Sequence, residues 1–163
     1  MNTLRVVNNF LASIAMTLAM CIIFIMVAAL TLSASTRFIT GSGFAWFIEL
    51  PPVFVSWLVF PLLGPLLKKG QHIQVDFLTP LLSDKSKKIL NLSVNLIALI
   101  SACIFFKAGF DATHLYYNLG QMLDIEISVP IWWMFLAFPV GFLILGLVSL
   151  ELLIDNFFDL YKR

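Results

Sequence analysis

Charge is what this sequence has least of. Asp, Glu, Lys and Arg make up 12% of its 163 residues, where soluble domains carry about 25%. Hydrophobic residues fill 61% of the chain and its mean hydropathy is +0.99, which excludes an ordinary soluble domain. Two cysteines and two histidines are too few for a disulfide framework or a Cys/His metal cluster. Cys21 and Cys103 fall inside long apolar runs, where a free thiol behaves as a small hydrophobe. Glycine motifs are missing as well. The "GSG" at 41–43 has no preceding strand and no third glycine, so it is a short loop and not a nucleotide fingerprint. Neither a Ser-His-Asp arrangement nor an internal repeat is apparent.

What is present is length without charge. Four stretches, about 10–32, 44–67, 89–107 and 129–154, each supply the roughly 20 apolar residues that cross a bilayer as a helix. They are continuous, with no two-residue alternation, so a β-barrel is excluded. Arg5 before the first stretch imitates a signal peptide, but the run is too long for one and three more follow. The reading is a single all-α membrane domain over 1–163 with four transmembrane helices.

The sparse charges set an expected topology. Lys68, Lys69, Lys85, Lys87 and Lys88 crowd the connection after the second span, whereas the connection at about 108–128 has no base and holds Asp111, Asp124 and Glu126. Lys/Arg excess marks cytoplasmic loops, so both termini are expected inside, with Arg5 at one end and Lys162-Arg163 at the other. The acids Glu151, Asp155 and Asp159 carry no weight under that rule. Trp46, Trp132, Trp133, Tyr116, Tyr117 and Tyr161 fall near expected interfaces, while Trp57 lies deeper and reads as a packing residue.

The middles of spans one, three and four hold almost nothing ionisable, so the chain by itself is poorly equipped to carry a polar solute. Span two carries Pro51, Pro52, Pro61 and Pro65 around Gly64, which implies a bent helix. The bend serves packing against its neighbours or shapes a surface for a partner. Pro139 with Gly141 in span four invites the same two readings. Glu49 suits the start of a helix or a salt bridge to a partner. Lys107 and Asp111 have the spacing of an i,i+4 pair. His114 with Asp111 makes a poor metal site, since structural zinc takes four ligands.

Between spans two and three, Gly70 is expected to turn the chain. Val75, Leu78 and Leu82 then recur at helical spacing ahead of the lysines at 85–88. An apolar stripe beside a basic run reads as an amphipathic interfacial helix over about 75–84. His72 and Asp76 share a face if this stretch is helical. A local hydrogen bond or cap, a contact with another subunit, and general acid–base chemistry all remain open for them.

The stretch "LKKGQHIQVDFLTPLLSDKSKKIL" resembles the hallmark of the small membrane subunit of TRAP transporters, the tripartite ATP-independent periplasmic systems. Gly70, His72, Ile73, Val75 and Asp76 match it position by position. Upstream, Trp46, Glu49, Trp57 and Gly64 are similar to the family's second helix, and downstream Pro130, Trp133, Pro139 and Gly141 to its fourth. Helix two is richer in proline than the family pattern, which puts its straightness in doubt. The resemblance implies a non-enzymatic subunit without a cofactor of its own, in the bacterial inner membrane. It would act as scaffold and anchor for a large elevator-type subunit that carries an organic acid, a sialic acid or C4-dicarboxylate, together with sodium. A periplasmic binding protein would deliver the substrate. Gly70, His72, Ile73, Val75, Asp76, Trp46, Glu49 and Trp57 would then be interface candidates, and Lys68, Lys69, Lys85, Lys87 and Lys88 membrane-surface anchors. The competing readings are a free-standing redox or metal-binding enzyme subunit, whose two histidines would lie on opposite sides of the membrane, and an oligomeric channel, for which the spans lack a polar lining.

Overall fold

Long apolar runs in lipid have to satisfy their backbone internally, and helices do so within one segment. The computed structural model describes residues 2–43, 45–70, 84–123 and 128–161. The helices are α1 (Asn2–Thr40), α2 (Ala45–Val59), α3 (Leu63–Lys68), α4 (Asp84–Leu119), α5 (Ile131–Phe135) and α6 (Ala137–Tyr161). A 3-10 turn over Phe60–Leu62 joins α2 to α3. Among the described residues four segments are long and apolar enough to cross a membrane: Thr3–Thr40, Pro51–Lys68, Ser86–Leu119 and Ile131–Phe158.

The breaks in the second and fourth segments have causes in the sequence. Pro61 and Pro65 have no N–H to give the carbonyls of Trp57 and Pro61, and the helix tightens into a 3-10 turn there. Pro139 does the same to Phe135, and the interruption at Leu136 separates α5 from α6. The second segment thus passes through a 3-10 turn at Pro61, while Pro51 and Pro52 lie inside α2 without interrupting it. The turn is packed: Phe60 lies 3.9 Å, centroid to centroid, from Phe138 and 6.0 Å from Phe142. A Cβ at Gly141 would run into the backbone of Phe60, and one at Gly64 would come within 2.8 Å of Ile144 Cγ2. Only glycine lets the two segments approach so closely.

Two helices outrun the apolar stretches that define them. With 39 residues, α1 is about 58 Å long at 1.5 Å per residue, against a hydrocarbon core of about 30 Å. Its last turns carry Ser and Thr residues whose hydroxyls fold back on the helix: Ser35 donates to the carbonyl of Thr31 and Thr40 to that of Thr36. The connection expected over about 108–128 is mostly helix, because α4 continues to Leu119. That stretch contains no proline, it packs Gly109 against Phe138 and Pro139, and Thr113 donates to the carbonyl of Gly109 at 2.7 Å. Its end is set by Gly120 at φ +59, as Gly41 at φ +75 ends α1. A minimal antiparallel ladder pairs Met122 with Pro130 and Leu123 with Val129.

The segments alternate in direction. α6 is the centre of the bundle, with α4 on one side and α3 on the other, while α1 packs chiefly on α2 and touches α6 near the chain ends. Its apolar window is 44% buried while that of α4 is 11% buried, so most of the α4 surface faces outwards. Ala137 and Val148 are fully enclosed in this core. Lys85, Lys87 and Lys88 belong to the first turns of α4 and not to a loop. The expected interfacial helix lies outside the described residues, apart from Asp84, which begins α4.

Candidate functional site

An acid interrupts the apolar run of α6 at Glu151, where only 5% of the side chain is exposed. A carboxylate so placed has to be paired and hydrogen-bonded, and the structure brings three segments together to do it. Lys68, the last residue of α3, donates to Glu151 Oε1 at 2.8 Å and to Oε2 at 3.1 Å. From α1, Asn8 is fully buried and donates its amide to Glu151 Oε2 at 2.6 Å and to the Leu147 carbonyl at 3.1 Å. Lys68 also donates to Asn9 Oδ1 at 2.9 Å. One turn along α6, Asp155 accepts from Arg5 Nη2 at 2.7 Å, and Arg5 Nε stands 4.0 Å from Glu151.

The result is a polar clamp across the end of the bundle that carries both chain termini. Glu151 is neutralised by Lys68 and Asp155 by Arg5, while Asn8 fills the remaining space on the Glu151 carboxylate. The clamp contains no nucleophile, and among the described residues no three His, Cys, Asp or Glu side chains gather as metal ligands. What it can do is fix the register of α1 and α3 on α6. One loose end remains: Asn8 Oδ1 is buried with no donor.

The opposite end is held by rings. Trp57 Nε1 donates to the Trp133 carbonyl at 3.0 Å with the two indoles 5.7 Å apart, so Trp57 is the packing residue its depth suggested. Tyr116 stacks on Phe135 at 4.4 Å and Tyr117 meets Trp132 edge to face at 5.7 Å.

The residues singled out in the sequence are scattered with respect to these features. Gly70 makes the turn out of α3 at φ +64, its N–H bonded to the Leu67 carbonyl. His72, Ile73, Val75 and Asp76 lie outside the described residues. Trp46 sits in the first turn of α2 and Glu49 lies half-buried and engaged on the same helix. Lys68 points inward to Glu151. Lys69 is exposed, its amine against Met16 Sδ at 3.3 Å. Lys107 and Asp111, spaced for an i,i+4 pair, make no ion pair: both are exposed at a surface where holding two long side chains together gains little. His114 Nδ1 lies 3.2 Å from the Asn118 amide nitrogen. Cys21 and Cys103 are free.

Arg5, Asn8, Asn9 and Asp155 were not apparent as site residues, and Glu151 counted only among the C-terminal acids. A signal was present: an acid in the middle of "LGLVSLELLI" and two asparagines entering a charge-free span are expensive in lipid without partners.

The family model described as "Tripartite ATP-independent periplasmic transporters, DctQ component" matches residues 26–159. No curated protein matches the chain.

Proposed function

The chain belongs to the DctQ component family of the tripartite ATP-independent periplasmic transporters, a transporter component and not an enzyme, and from that premise we propose how it contributes to uptake. It is the fixed scaffold and membrane anchor for a large elevator-type subunit, which carries an organic acid carboxylate, a sialic acid or a C4-dicarboxylate, with sodium. A periplasmic binding protein supplies the substrate. The chain sits in the inner membrane with both termini cytoplasmic, a placement supported by the lysines at 68, 69, 85, 87 and 88. It holds no cofactor; the sodium belongs to the large subunit. Gly70, His72, Ile73, Val75 and Asp76, with Trp46 and Glu49, contribute to the subunit interface, while Trp57 supports it from within.

The observation that carries this reading is how the chain uses its polar groups. Glu151, Asn8 and Lys68 satisfy one another at one end, whereas the flanks of α1 and α4 present apolar side chains such as Phe24, Ile97 and Ile104. A carrier spends polar groups on its solute near the midplane; a scaffold spends them on rigidity and leaves apolar flanks for lipid and partner.

Reconstitution tests it. Proteoliposomes holding the chain, the large subunit and the binding protein together should take up the substrate when a sodium gradient is imposed. Vesicles with the chain alone should take up none. Uptake by the chain alone would overturn the proposal, as would full activity of the large subunit without it.

A further inference from the structure

Among the described residues the clamp leaves one cation over. Three bases, Arg5, Lys68 and Lys69, meet two acids, Glu151 and Asp155, and the pairs Arg5–Asp155 and Lys68–Glu151 account for four of the five. Lys69 is left with a thioether, Met16 Sδ, a weak acceptor. It stands at the mouth of a groove of about 390 Å³ between α1 and α3, lined by Asn9, Ser13, Met16, Pro65, Lys68 and Lys69. The polar atoms open to this groove are mainly donors. Asn9 Oδ1 is taken by Lys68, which leaves its amide nitrogen, and Ser13 adds a hydroxyl. Among the described residues no carboxylate lines the groove.

A second groove meets the first at Ser13 and runs along α1 past Ile14, Leu18 and Cys21. It is mostly apolar, with the Thr17 hydroxyl on its wall, and leads away from the charged end towards the middle of the helix. The pair thus has a donor-rich, singly charged head and an apolar track, in a helix that crosses the bilayer.

We propose that this groove binds an anionic phospholipid, its phosphate held by Lys69, Asn9 and Ser13 and its acyl chain lying along α1 from Ile14 to Cys21. The charge complementarity is local: a single anion neutralises the cation that has no acidic partner among the described residues, without competing for the Lys68–Glu151 pair. This inference rests on the transmembrane fold alone and stands whether or not the chain is a scaffold.

The test is native mass spectrometry on the full chain in detergent, titrated with phosphatidylglycerol or with phosphatidylcholine of the same acyl chains. Phosphatidylglycerol should be retained in preference, and K69Q should lower that retention about fivefold, the size expected for one cation at a charged membrane surface. K69R should keep it, and K107Q, in α4 and outside both grooves, should leave it unchanged. S13W, which fills the junction of the two grooves without touching a charge, should lose the lipid as well. Melting curves check that each variant is folded. Equal retention of the two lipids, or undiminished binding in both K69Q and S13W, would overturn the proposal. Displacement of the lipid by millimolar inorganic phosphate would also overturn it, because the site would then be one for a free anion.

Discussion

At the end of the bundle where the chain begins, Arg5, Asn8, Lys68, Glu151 and Asp155 join α1, α3 and α6 through charge-assisted hydrogen bonds of 2.6 to 3.1 Å. At the other end Trp57, Trp133, Tyr116, Tyr117 and Trp132 join α2, α4 and α5 through ring contacts and one indole hydrogen bond. The two ends differ in how their stability depends on each member. A ring contact contributes about 0.5–1.5 kcal/mol beyond its area and degrades gradually when one ring is trimmed. A buried ion pair contributes little net stability over an apolar filling, yet losing one partner costs about 3–5 kcal/mol, because the other charge is left stranded. The charged end therefore fixes a register, and the aromatic end tolerates variation.

The strongest test of that contrast is Glu151→Ala. It strands Lys68 and frees the Asn8 amide in a site with 5% exposure on the acid side. The expected loss is about 3 kcal/mol, read as a fall in the unfolding midpoint of the chain in mild detergent. The double variant Glu151→Leu with Lys68→Leu should recover most of it, since an apolar pair removes both charges at once. A single variant as stable as the parent would show that the clamp does not hold the end together.

The sequence and the structure agree best where the physics is local. The four spans were legible because continuous apolar runs need no partner to be recognised, and the breaks at Pro61 and Pro139 follow from a missing N–H at a known position. The helical extension of α4 to Leu119 was not legible, because its Asp111 and His114 read as a polar connection and its support comes from distant Phe138 and Pro139. The clamp was hidden for a similar reason. Lys68 and Glu151 are 83 positions apart, and nothing in either local sequence names the other. Lys68 read as a surface anchor because it stands in a basic run, whereas its neighbour Lys69 is the one left facing outwards.

The aromatic end gives a smaller effect. Trp57→Phe removes one hydrogen bond to the Trp133 carbonyl and part of a ring contact, with no charge left behind. The expected cost is about 1 kcal/mol, measured in the same unfolding assay. A loss as large as that of Glu151→Ala would erase the distinction between the two ends and make Trp57 the anchor of α2 on α5.

The smallest effect sharpens the boundary of the clamp itself. Arg5 is 47% exposed and Asp155 29% exposed, whereas Glu151 is 5% exposed. The Arg5–Asp155 pair therefore sits at the wet rim, where solvent takes over most of what the partner offers. Arg5→Gln should cost no more than about 1 kcal/mol, and the difference from the parent should shrink as salt rises from 0.05 to about 0.5 M, because screening weakens exposed pairs first. The cost of Glu151→Ala should change less over the same range, since the Glu151 carboxylate is 5% exposed even though Lys68 is 25% exposed. An Arg5→Gln loss that is large and independent of salt would move Arg5 from the rim to the core of the clamp. In that case Glu151 would be held by two cations, and its 4.0 Å approach to Arg5 Nε would count as a bond and not merely as proximity.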